Sequence, residues 1–453
     1  MYIRKLMIGS NSDLDAQATV TEYVRKSVGQ CEATIFSHEG HSNAAATCGA
    51  TDWNTRKSFA SYNWTDAKSP IILVPGKPPL WTPLRQAQRL KEDSGVFFRD
   101  LNSAKYPEFP TEPAVRALLD TDPIFAIEEV DVFACGSTMG NLLRFARSIE
   151  KPFRFNIELI GTTVFFVRKD NDPREIIEGV RGYGHTFPEA YTTWERDVKG
   201  SESHQRLCRY KFGGLDCVVR FECDGYLGHG SGPAPRSNPV STPAGLLDSL
   251  VGSLDNVTVG RHISDSKTAL TLKQSGAVVP QHTVFDLKTR SGKYRKEIDM
   301  EEMYPQLWIK QIPNFVVAYH DGYGTFPLHD IHVKQVQANV QAWERQNEAA
   351  IRRLAVLLNK FVEIAKKEGP GLLEAYCPSV DRLEIRRQHG EGVHALPPEL
   401  MARWTVELDL SDHEHDHESE HGGVQLSYDS DSDSEKDLTA CGEDCGYCGK
   451  CTY

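Results

Sequence analysis

The stretch 207–227, LCRYKFGGLDCVVRFECDGYL, leaves few architectures open. Gly213 and Gly214 supply the backbone freedom of a tight turn. The aromatic and β-branched residues on either side favour extended chain, so the segment predicts a β-hairpin. Val218, Val219, Phe221 and Leu227 read as buried. The second strand ends on acids. Glu222 and Asp224 stand two apart and share a face, together with Arg220. Aligned carboxylates repel unless a cation joins them. A solvated strand face is the plain alternative.

Other segments repeat the extended pattern. FRFNIELIGTTVFFVRK (153–169) alternates around a central glycine and predicts a second hairpin. SPIILVPGKPPLWTP is a short apolar strand stopped by Pro and Gly. In HTVFDLKTRSG, Asp286 and Lys288 also share a face. Alone they read as a surface ion pair, which stabilises little. If their strand lies beside the one before it, Glu222, Asp224, Asp286 and Lys288 converge. Three hard oxygen donors beside a lysine suit Mg²⁺ or Mn²⁺ and phosphate chemistry.

Between the strands, TEPAVRALL opens a helix, with Thr111 as cap and Pro113 in the first turn. Residues 304–311 read as a short helix and 315–319 as a buried strand. Over 330–367 the residues Val336, Val340, Trp343, Ile351, Leu354, Leu358, Phe361 and Ala365 recur at helical spacing. One looser step separates Trp343 from Ile351. The spacing predicts one long amphipathic helix. The fold class is therefore α/β of the mixed α+β kind, a central mixed sheet flanked by helices.

The 453 residues divide unevenly. Residues 1–68 are polar without a period and read as a poorly ordered arm. The body spans 69–405, with a flexible Gly/Pro/Ser-rich insertion at 228–280. The net charge of −12 belongs mostly to the tail, since 411–438 holds ten acids and one lysine. The body is left nearly neutral, which neither demands nor forbids a nucleic-acid partner. The acidic segment 411–440, with His413, His415, His417 and His421, reads as disordered. The terminus 441–453 crowds Cys441, Cys445, Cys448 and Cys451, candidate ligands of a tetrahedral Zn²⁺ site, with an oxidisable tail as the alternative. The scattered cysteines read as reduced thiols of an intracellular protein, cytoplasmic or nuclear. No apolar run of eighteen residues occurs, so no membrane span is expected.

A carboxylate pair followed on the next strand by (D/E)-x-K is the core pattern of the PD-(D/E)XK nuclease fold. Five segments in order resemble the DXO/Rai family of RNA decapping exonucleases: VDVFACGSTMGNLLRF, RGYGHTFPEAY, RFECD, FDLKTRS and YPQLWIKQIPNFVVAYHDGYGTF. The chain looks like a divergent, fungal-type branch of it. The resemblance implies a divalent metal held by Glu222, Asp224 and Asp286, with Glu189 reaching it through water. It implies that Lys288 and Gln306 position phosphate oxygens. Arg290, Lys293, Arg295 and Lys296 would track an RNA backbone, or form a solvated loop. Two departures stand out. The family's first-motif arginine falls in ACGST, with no basic residue until Arg144, and Asp286 replaces a glutamate. His185, in a Gly-rich turn, reads as structural rather than as a base. The expected function is metal-dependent hydrolysis at RNA 5′ ends. The alternative is a catalytically degenerate relative that binds RNA or a protein such as an exoribonuclease.

Overall fold

The structure, a computed structural model, describes residues 57–177, 179–228, 269–292 and 297–405, and the backbone of two short strands, Lys5–Gly9 and Ala18–Thr19. Among these residues the strands form two sheets. The larger is mixed. It runs through Thr271–Gly276, Ile71–Gly76, Lys57–Thr65, Ser201–Phe212, Leu215–Glu222, Val132–Cys135, Thr163–Arg168, Phe153–Ile160, Leu373–Ser379, Arg382–Arg387, Lys5–Gly9 and Ala18–Thr19. The smaller runs through Ile331–Gln335, Asn314–His320, Val284–Ser291, Gly225–Tyr226, Leu80–Trp81 and Thr192–Thr193. The strands that matter most below are β1 (Lys57–Thr65), β2 (Val132–Cys135), β3 (Ser201–Phe212), β4 (Leu215–Glu222), β5 (Gly225–Tyr226), β6 (Val284–Ser291) and β7 (Asn314–His320). The helices used below are α1 (Gly136–Ala146), α2 (Thr186–Tyr191), α3 (Met300–Lys310), α4 (Gln337–Gln346) and α5 (Glu348–Glu368), while Glu112–Thr121 and Pro398–Thr405 pack against the second core.

The hairpin expected at Gly213–Gly214 is β3–β4, with Phe212 opposite Leu215. Both glycines have positive φ, +59° and +83°, which only a primed two-residue turn requires. Alternation along β4 then sorts side chains to two cores. Cys217, Val219 and Phe221 face a core built with Leu142 of α1, Trp308 of α3 and Phe361 of α5. Val218 faces the other, with Val115, Leu118 and Trp404. The mixed sheet is thus covered by helices on both sides, as the pattern predicts.

Three expected boundaries move. The arm does not reach residue 68, because β1 is an internal strand that buries Ala60, Tyr62 and Trp64. It is hard to read because its other face is polar. Ser61 and Asn63 are buried too, and each is hydrogen-bonded: Ser61 Oγ donates to the Pro75 carbonyl and Asn63 Nδ2 to that of Lys77. The insertion ends earlier than 280, since Thr271–Gly276 pairs in parallel with Ile71–Gly76 at the edge of the sheet. As an edge strand with partly exposed residues, TLKQSG carries no apolar signature. The single helix over 330–367 is instead a strand, Ile331–Gln335, followed by α4 and α5. Asn347 breaks it. Its backbone leaves helical geometry (φ −104°, ψ 17°) and its Nδ2 donates to the Trp343 carbonyl at 3.0 Å. The loose step between Trp343 and Ile351 marks that break. Most of the arm, residues 229–268 of the insertion, the acidic tail and the cysteine terminus lie outside the described residues.

β3 also carries a buried histidine with a measurable consequence. His204 Nδ1 bonds Asn63 Oδ1 at 2.6 Å, and its Nε2 is buried with no protein partner. Burial, then the nearby Arg206 cation, push its pKa well below the ordinary value. The folded state therefore keeps His204 neutral, while the unfolded chain protonates it below about pH 6.5. Its contribution is present above that value and is lost as pH falls, by about 1.4 kcal/mol per pH unit. Denaturant midpoints measured from pH 7 to 5 should drop more steeply for wild type than for His204→Gln. Parallel slopes would contradict this.

Candidate functional site

The chain crosses from one sheet to the other at the acids. β4 ends at Glu222, Cys223 and Asp224 make the turn, and β5 enters the smaller sheet. There Gly225 lies opposite Phe285 and Tyr226 opposite Val284, antiparallel to β6. This pairing places Asp224 beside Asp286. Asp224 Oδ2 accepts the Leu287 N–H at 2.6 Å, and its carboxyl reaches that of Asp286. Along β6, Asp286 and Lys288 share the face toward this turn. Phe285 and Leu287 take the opposite face, packed with Trp81, Phe187, Tyr191 and Phe326.

A second lysine completes the cluster. Lys310, the last residue of α3, donates to Asp286 Oδ2 at 2.8 Å. The helix is fixed at both ends: the Asp299 side chain accepts the Glu301 N–H at 2.9 Å, and Gln311 stops it in the left-handed region (φ 59°). Leu307, Trp308 and Ile309 anchor it in the core. Gly136, at the start of α1, lies close by. A Cβ there would stand 3.4 Å from Phe221 Cβ and 4.0 Å from Lys310 Cγ.

The electrostatics follow from burial. Removal from water pushes the Asp286 carboxyl up. The Lys310 ammonium, the hydrogen bond with Asp224 and the Lys288 charge more than offset this and hold it below the usual carboxylate range. Burial pulls the Lys310 ammonium down, but Asp286, Asp224 and Glu222 raise it above the ordinary lysine value. Both groups are charged at neutral pH.

Of the expected site residues, Asp224, Asp286 and Lys288 come together. Glu222 is exposed at the rim, and its charge acts on Lys310. Gln306 lies one turn before Lys310 on α3, half-buried. Glu189 is exposed on α2, which packs through Phe187 and Tyr191 on the Phe285 face of β6. It is not among the strongest charges acting on Asp286 or Lys310. Arg220 does not join the acids: it pairs with Asp100 at 3.2 Å and with Gln205 at 2.7 Å. His185 is structural, its Nδ1 lying 3.1 Å from Asp93. Arg290 donates to the Glu297 carbonyl at 3.1 Å. Lys293, Arg295, Lys296 and the four C-terminal cysteines lie outside the described residues. Lys310 was not read from the sequence. Its only signal is its place four residues after Gln306, between the apolar Ile309 and Ile312.

Among the described residues, no three carboxylate, imidazole or thiol groups gather around one ion position. Lys310 engages Asp286 and the Leu287 N–H engages Asp224. The donor chemistry nevertheless fits a hard divalent cation: the buried carboxylate of Asp286 meets the half-buried one of Asp224, with Glu222 two residues upstream of Asp224. Gly225 allows them to meet. An added Cβ would fall 2.4 Å from Phe285 Cζ and 2.8 Å from the Pro79 carbonyl oxygen. Gly225→Ala should cost about 1–3 kcal/mol by overpacking, measured by urea unfolding. A change below about 0.5 kcal/mol would show that the strands separate freely there.

Two mixed sheets flanked by helices and joined at paired carboxylates, with lysines on the adjoining strand and helix, define a protein of mixed α and β structure. The chain belongs to the family described as Domain of unknown function (DUF8563), whose model matches residues 45–378. The structure is similar to that of Schizosaccharomyces pombe Rai1, at 10% identity and a TM-score of 0.46, covering 78% of this chain and 98% of that one. It is also similar to Scheffersomyces stipitis Rai1 in complex with (3′-NADP)⁺ and calcium ion, at 10% identity and a TM-score of 0.49, covering 80% and 96%. K. lactis Dxo1 in complex with manganese matches at 7% identity and a TM-score of 0.43, covering 77% and 94%. No curated protein sequence matches this chain.

Proposed function

We propose that this protein is a divalent-metal-dependent phosphoester hydrolase acting on RNA 5′ ends. The observation that carries the reading is the meeting of Asp224 and Lys310 at the buried Asp286, with Lys288 on the same strand face as Asp286. Carboxylates and lysines in that proportion suit a phosphate beside a cation. The RNA-end assignment comes from the order of the five sequence segments, of which RFECD and FDLKTRS supply Asp224, Asp286 and Lys288.

Asp224 and Asp286, with Glu222, would hold the ion, which supplies Lewis-acid chemistry at the phosphate. The chain's own groups do the rest. The Leu287 N–H fixes the orientation of Asp224. Lys288, held on β6 by the parallel β7, balances the charge that develops on phosphate oxygens. The apolar Phe285 face of β6 keeps the strand rigid beneath it.

The experiment is incubation of the purified protein and Mn²⁺ with 5′-labelled RNAs bearing a triphosphate, an unmethylated guanosine cap or an NAD cap. Release of label from at least one, abolished by EDTA, is expected. No release from any would leave the second reading, a binding protein of the same fold. Two observations favour that second reading: Lys310 closes the carboxylates, and no arginine stands in the ACGST segment.

A further inference from the structure

The feature that the five segments do not account for is Lys310. Two carboxylates in contact repel unless a proton or a positive charge joins them. Here the protein supplies it from α3, with Lys310 Nζ 2.8 Å from Asp286 Oδ2 and both side chains at most 16% exposed. The lysine is not a loose surface group. It is fixed at the C-terminal end of a helix whose stop is set by Gln311 and whose Leu307, Trp308 and Ile309 are buried. Its stem runs beside Gly136, whose added Cβ would lie 4.0 Å from Lys310 Cγ.

We infer that Lys310 is a resident counter-ion that competes with a divalent metal for Asp286, so that an ion enters only as the ammonium withdraws. This rests on the metal reading of the site given above. It accounts for acids that meet beside an ammonium and yet, among the described residues, gather no three-ligand set. The displaced ammonium stays tethered at the end of α3, one turn from Gln306. From there it lies within reach of a phosphate bound at the carboxylates. Lys310 is therefore a positioning residue that gates metal occupancy, and its charge serves the carboxylates or the phosphate in turn.

The test is a calorimetric titration of Mn²⁺ alone into the full chain and its variants. Lys310→Met removes the competing charge and should bind Mn²⁺ at least tenfold more tightly than wild type. Lys310→Arg keeps a cation and should stay within about threefold of wild type. Equal or weaker binding by Lys310→Met overturns the inference and leaves the metal reading standing. Absence of Mn²⁺ binding by wild type and all variants overturns both. If Lys310→Met does not fold without metal, Lys310→Gln keeps a hydrogen-bond donor for Asp286 without the charge. In it, Mn²⁺ should raise the melting temperature more than it does in wild type, and an equal rise counts against the inference.

Discussion

Asp286→Ala is expected to lower folding stability by about 3–5 kcal/mol, because it leaves the buried Lys310 ammonium without its carboxylate. The pair is largely out of water, so the cost is that of an ammonium that has lost its hydrogen-bonded carboxylate and keeps only the charges of Asp224 and Glu222, rather than the small value of a surface contact. The exposed pair of Arg352 and Glu348 on α5 gives the contrast. Its removal by Glu348→Ala should change stability by less than about 1 kcal/mol. The double variant Asp286→Asn/Lys310→Met, with no charge left to strand, should recover most of the loss. Urea unfolding of the three variants measures all of these. An Asp286→Ala protein within about 1 kcal/mol of wild type would mean that Lys310 reaches water in solution, and that the carboxylates are not closed by it.

What the sequence conveyed depended on how each element is buried. Hairpins were legible because a glycine pair or a central glycine stood between strand-forming runs, as at Gly213–Gly214 and Gly161. The acids on β4 and β6 were legible because a strand's two-residue period puts Asp286 and Lys288 on one face whatever the rest of the fold does. β1 was not legible, because its buried polar residues find partners only in three dimensions, Asn63 across the sheet at His204 and Ser201. The break at Asn347 left only a slight trace, the looser step between Trp343 and Ile351, because its bond to Trp343 is local and does not interrupt the apolar spacing. Arg220 shows the limit of face arguments. It precedes Glu222 by two on the same strand, yet Asp100 draws it into a separate buried pair. Lys310 lies 24 residues from Asp286, and no local pattern joins a helix end to a strand face across that gap.

The central claim is that Asp224 and Lys288 serve one phosphate site in different ways, and two variants separate them. Asp224 supplies an oxygen to the cation, while Lys288 supplies positive charge to the reacting phosphate. Lys288→Ala should keep Mn²⁺ binding in a calorimetric titration but lose about 100- to 1,000-fold in release of label from a 5′-labelled RNA. Asp224→Ala should lose both the Mn²⁺ heat and the activity. Wild-type-like turnover by Lys288→Ala, or unchanged Mn²⁺ binding by Asp224→Ala, would contradict the account.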